Sequence, residues 1–196
     1  MHDSPMPDHR EETRNAFGIL VFIARAMAVT VEVFLHRADS FGERYLGLQV
    51  IGGMVMIVFW PILCDPGYPP EPLLIFLATF ILMCVAVRLR TNRRITRDCP
   101  QPHSRYNGTP RLMRITGITS EVTVKRVVEP IVMWLTGAFM LSVSPPLGGY
   151  LMVTAGSLFI TNSLTDGYER RRAVDMHDAY LEQRNVAERF RDMKDK

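Results

Sequence analysis

The chain has 196 residues, 22% of them charged, with a formal net charge of +3 and a mean hydropathy of +0.06. Those averages fit a soluble protein, but the charges are segregated: residues 46–63, 73–87 and 131–165 contain no Asp, Glu, Lys or Arg. Segregation on that scale is what a bilayer demands and a soluble core does not, so the fold expected is all-α and polytopic, two transmembrane helical hairpins with a further helix at each end. Residues 88–129 carry ten bases against three acids. Beside two hydrophobic hairpins that excess is read as a topological signal, and no nucleic-acid partner is expected.

Residues 1–15 form a polar, acidic tail. It lacks the basic start and small-residue cleavage site of a secretory signal, so no cleaved leader is expected. Residues 16–37 make an amphipathic or transmembrane helix. Arg14, Gly18, Arg25, Glu32 and His36 recur at steps of 4, 7, 7 and 4, which puts them on one helix face. A central Arg costs about 2.5–3.5 kcal/mol on insertion, offset by roughly 0.3–0.6 kcal/mol from each neighbouring Phe, Ile, Leu or Val. The shared stripe favours a partly buried interfacial helix over a spanning one. Arg25, Glu32 and His36 are the intramembrane polar candidates. Against an ion path stands the plainer reading: Arg25 snorkels to headgroups and Glu32 pairs with Arg25 or Arg37.

Ser40-Phe-Gly-Glu43 has the form of a capping box and is expected to open the next helix. The first hairpin spans 45–88. Its outward limb holds Gln49 as its only strongly polar side chain and Trp60 near its end, where an indole suits the headgroup region. Pro66, Pro69, Pro70 and Pro72 stiffen a turn without Lys or Arg. Residues 89–126 are a basic cytoplasmic loop with an Asn107-Gly108 turn. Within it His103, Arg105, Tyr106, Arg111 and Arg114 suggest a phosphate or lipid-headgroup site, set against an ordinary solvated loop. Residues 120–129 fit a short helix or a strand, and continuity with the apolar run behind them favours helix.

Residues 127–164 form the second hairpin, turning at Ser144-Pro145-Pro146. Ala138/Ser142 and Ser157/Thr161 are small-residue pairs suited to close helix contact in lipid. The charged tail, 165–196, is read as a cytoplasmic helix. Ala173, Met176, Tyr180, Gln183, Ala187 and Phe190 follow steps of 3, 4, 3, 4 and 3, a short heptad-like face. Met176, Tyr180 and Phe190 are its expected partner contacts. Cys64, Cys84 and Cys99 lack metal or disulfide spacing and are expected as free thiols.

The positive-inside rule places residues 88–129 and the C-terminus in the cytoplasm, and the turns at 64–71 and 144–146 outside the cell membrane. No nucleotide, hydrolase or metalloprotease motif occurs, so no enzyme, cofactor or metal is expected. The leading expectation is a structural subunit of an inner-membrane complex, of secretion or conjugation type, bound to the lipid bilayer, possible anionic headgroups and other subunits or copies of itself. The alternative is a small homo-oligomeric channel, with Gln49, Thr136, Ser142, Thr154, Ser157 and Thr161 along a narrow path. A lipid-acting enzyme using His103 and Arg105 ranks third.

Overall fold

The computed structural model describes residues 9–96 and 106–194. The protein is all-helical, 81% helix, which decides the ambiguous stretch 120–129 in favour of helix. The elements are α1 (His9–Leu35), α2 (Leu48–Phe59) running into a tight 3₁₀ turn (Trp60–Leu63), α3 (Glu71–Thr96), α4 (Met113–Thr116), α5 (Glu121–Thr123), a wide π turn (Val124–Val128), α6 (Glu129–Leu141) and α7 (Pro145–Lys194). The chain divides into two compact units, 1–161 and 162–196.

Among the described residues two helices are long and apolar enough to cross a membrane, Thr13–Leu35 within α1 and Glu71–Thr96, while the apolar stretch Leu48–Leu63 is shorter. α1 is the axis of the first unit. Ala26, Ala28, Val29 and Val33 are fully buried, and Val31 and Glu32 nearly so. This C-terminal half of α1 meets the chain's own helices, whereas Phe17, Ile19, Leu20 and Phe22 in its first half are exposed. The reason lies in α2, where Gly52 and Gly53 open the way for α1. A Cβ added at Gly53 would lie 2.8 Å from the Ala26 carbonyl oxygen and 2.6 Å from Thr30 Cγ2.

Tyr150, fully buried on α7, ties the elements together. Its hydroxyl donates to Thr30 Oγ1 of α1 at 3.1 Å. Its ring meets Trp60 edge-on at 5.4 Å and Phe76 of α3 at 5.8 Å. Trp60 in turn donates its indole N–H to the Pro146 carbonyl oxygen at 2.9 Å. The two hairpin turns are thereby held side by side.

Three local expectations change. Ser40 does not open a helix: α2 starts at Leu48 behind Gly47, with no side-chain cap, because the Ser40 hydroxyl is taken by a distant amide, that of Thr109. The close approach of α6 and α7 falls on Gly137 and Gly148, not on the Ala138/Ser142 pair. A Cβ at Gly148 would sit 2.7 Å from the Gly137 carbonyl oxygen. Finally, the basic stretch is largely structured, since α3 continues to Thr96 and helical turns resume at Met113.

The exterior of the first unit is rich in large apolar side chains. Leu74, Ile75, Leu82 and Val85 of α3 and Ile131, Trp134, Leu135 and Phe139 of α6 are exposed, while Thr30, Glu32, His36 and Thr154 are buried. Cys64 and Cys84 are free thiols, and Cys99 lies outside the described residues.

The glycine contacts set opposite signs for two substitutions. Gly53→Ala must displace a backbone carbonyl and is expected to cost about 1–3 kcal/mol. Gly156→Ala meets no atom within 4 Å and is expected to add up to about 1 kcal/mol through helix propensity. Thermal unfolding of the two purified variants beside the parent checks both signs.

Candidate functional site

The polar groups gather where α1 ends, α6 begins and residues 106–111 cross between them. His36 immediately follows α1, and Glu129 is the first residue of α6; both side chains are fully buried. His36 Nε2 lies 3.0 Å from each Glu129 carboxylate oxygen. His36 Nδ1 lies 2.5 Å from the Asn107 backbone carbonyl oxygen. Both ring nitrogens thus face oxygens: Nδ1–H donates to the Asn107 carbonyl, and one proton is shared between Nε2 and the Glu129 carboxyl. The geometry is that of a buried imidazole–carboxyl pair closed off from water and oriented by a backbone carbonyl.

Local structure delivers each partner. Pro130 has no N–H to give its helix, and its ring crowds the carbonyl four residues back. The helix widens into the π turn just before it, and Glu129 leaves that turn buried. Widened turns of this kind recur at functional positions. On the other side, residues 106–111 run antiparallel to 35–42. Arg37 N–H donates to the Thr109 carbonyl, Gly42 N–H to that of Tyr106 and Arg111 N–H to that of Leu35, at 2.8–3.0 Å. Gly108 has φ +90° in this crossing, and a Cβ there would lie 3.0 Å from Ser40 Oγ and 3.2 Å from His36 Cβ. Only glycine meets both demands.

A second cluster lies beside the pair. Lys125 Nζ donates to Asn107 Oδ1 at 2.6 Å and to Glu121 Oε1 at 2.5 Å, and stands 4.6 Å from the centre of the Tyr106 ring. The Tyr106 hydroxyl donates to the same Glu121 oxygen at 2.5 Å. Burial, then the Glu121 carboxylate, pushes the Tyr106 hydroxyl above its ordinary value. For Glu121 burial pushes upward, but the hydrogen bonds from Lys125 and Tyr106 and the Lys125 charge outweigh it and hold the carboxyl below its usual range.

The α3 arginines brace the same loop. Arg94 donates to the Phe41 carbonyl at 2.6 Å and to that of Asp39, and Arg88 to that of Glu43 at 3.1 Å. On the outer side of the crossing segment, Arg37, Arg90, Arg111 and Arg114 line an open cleft of about 1080 Å³.

The stripe anticipated on α1 is therefore divided. Glu32 and His36 face inward, whereas Arg25 is partly exposed. Glu32 sits in the combined field of His36, Glu129, Arg25 and Lys125. Among the described residues no ion pair joins it to Arg25 or Arg37, and Arg37 pairs with Asp39 at 3.2 Å. Tyr106 belongs to the half-buried cluster around Lys125, while Arg111 and Arg114 border the cleft. His103 and Arg105 lie outside the described residues. Met176, Tyr180 and Phe190 are exposed on α7. Sequence reasoning missed Glu129 and Asn107 as partners of His36, and Lys125 as the donor to Asn107 Oδ1. The available signal was an acid and a proline together at the head of an apolar run.

A pair closed to solvent on all sides joins segments; a general base has to come within hydrogen-bond reach of a substrate. Its loss should be severe. Glu129→Leu alone leaves the buried His36 Nε2 without its partner and is expected to cost about 1–3 kcal/mol, while His36→Leu combined with Glu129→Leu should cost much less. A double-mutant cycle on chemical unfolding measures the difference. The depressed Glu121 carboxyl stabilises the fold above its ordinary value of 4.5, and that contribution disappears as pH falls through 4.5 toward the folded-state value. Glu121→Gln should therefore lose less stability than the parent between neutral pH and pH near 4, as unfolding curves at the two pH values will show. No protein-family model, curated protein or solved structure matches this chain.

Proposed function

We propose that this chain is a non-enzymatic, polytopic subunit of a multi-protein complex in the cell membrane, of the secretion or conjugation-machine type, with residues 88–129 and the C-terminus on the cytoplasmic side. Its apolar exterior, together with Glu32, His36 and Glu129 buried inside it, favours a lipid surrounding over water. The ends of the first unit favour the orientation. Trp60 and Pro146, from the two base-free turns, are bonded to each other. His36, Arg94, Asn107 and Glu129 gather at the other end, among the basic segments.

The observation that carries the assembly reading is the second unit. Every described residue from 167 to 191 is exposed. Tyr168, Met176, Tyr180, Val186 and Phe190 stand in solvent among them, each at least 60% exposed. An isolated helix draws little stability from propensity alone, and helices in proteins are held mainly by packing of an apolar face. This face is the surface offered to partner subunits. The hydroxyls that a homo-oligomeric pore would need are divided: Thr154, Ser157 and Thr161 are buried, whereas Thr136 and Ser142 are exposed. The assembly reading therefore leads.

Affinity purification from native membranes, with and without residues 167–196, is the test. The full chain is expected to bring a stoichiometric set of other subunits, and the shortened chain to lose them. A full chain that purifies alone as a defined homo-oligomer would overturn the proposal in favour of the channel.

A further inference from the structure

The cleft on the outer side of the crossing segment assembles arginines that are far apart in sequence. Arg37 comes from the loop after α1, Arg90 from α3, Arg111 from the crossing segment and Arg114 from α4. All four are exposed. Among the described residues of the lining Asp39 is the only acid, and it is held by Arg37 at 3.2 Å. Among the described residues no carboxylate pairs with Arg90, Arg111 or Arg114.

Bringing like charges into one cleft is unfavourable unless an anion enters, and guanidinium forks match phosphate oxygens better than any other side chain does. One of the four is fixed in advance: Arg111 Nε donates to the His36 carbonyl oxygen at 2.9 Å, so the buried clamp sets its position. Apolar side chains share the lining. Met113 and Ile115 lie beside Arg111 and Arg114, and Ile115 is 80% exposed. Cations next to exposed aliphatic side chains are the composition of a segment resting at a headgroup boundary.

We propose that this cleft binds a phosphate group, supplied by the headgroup of an anionic phospholipid in the cytoplasmic leaflet. The source rests on the membrane reading above; the phosphate chemistry does not. Arg90 and Arg111 grip the phosphate from opposite segments, Arg114 adds charge, and Ile115 and Met113 lie against the first acyl carbons. Bound lipid then bridges α3 to the crossing segment and braces the loop around His36.

The test is native mass spectrometry and equilibrium binding on the full-length purified protein. The probes are phosphatidylglycerol, phosphatidylcholine and inorganic phosphate. Phosphatidylglycerol is expected to bind in preference to phosphatidylcholine. Arg90→Gln and Arg114→Gln should each weaken it by about fivefold, and Arg184→Gln on the remote exposed tail should not. Arg90 and Arg114 hold no other described part of the chain, so both variants are expected to fold, and an unchanged melting temperature verifies this. Equal affinity for the two lipids, or undiminished phosphatidylglycerol binding by both variants, would sink the proposal. Binding of inorganic phosphate that Arg90→Gln removes, without lipid preference, overturns the lipid source and assigns the cleft to a soluble phosphate compound. Release of the protein from native membranes by alkaline carbonate refutes the membrane reading independently, whatever the cleft binds.

Discussion

The bidentate contact between His36 and Glu129 is the constraint on which the polar end of this protein depends. It joins residues 93 positions apart, where chain entropy alone would keep them separate. A buried polar pair of this kind is tolerable only with close geometry and its remaining hydrogen satisfied. The Asn107 carbonyl supplies the missing acceptor. That requirement fixes the crossing segment, which needs glycine at position 108, and the crossing segment fixes where Arg111 and Thr109 lie. The loop after α1, the start of α6 and the outer arginine cleft are thus consequences of one interaction.

At the opposite end the device is different. Trp60, Phe76 and Tyr150 form an aromatic cluster around the two turns, and the indole and phenol each spend their single donor on another element. Between the ends, packing depends on the absence of side chains. Gly53 against α1 and Gly137 against Gly148 let backbones come nearer than any Cβ would permit. Close approach of this kind is the main source of helix association where no water is expelled. One end is held by charge and the other by rings. Among the described residues, the cleft of exposed arginines lies beside the polar end.

The polar stripe on α1 shows how far pattern reasoning reaches. Spacing alone placed Glu32 and His36 on one face, and the structure keeps them together. Whether that face met lipid headgroups or protein depended on what packs around α1, and nothing within α1 encodes that. The capping signature at Ser40 failed for a related reason. A hydroxyl has few bonds to give, and a distant amide, brought near by the clamp, claimed it before a local helix start did. Of the small-residue pairs, Ala138/Ser142 misses the tightest α6–α7 contact, which falls on Gly137 and Gly148, whereas Ser157 and Thr161 are buried, with Ser157 against Met27 of α1.

What the sequence by itself determined is local: where helices run, where prolines and glycines break them, which segments can face lipid and where positive charge accumulates. These follow from periodicity, composition and backbone stereochemistry, all readable over a few turns. Only the tertiary structure decided that His36 meets Glu129, that Lys125 joins Asn107 to Glu121, and that four arginines from separate segments share one cleft. Such partners are chosen by the three-dimensional need to neutralise buried charge and satisfy every donor, a condition with no period along the chain.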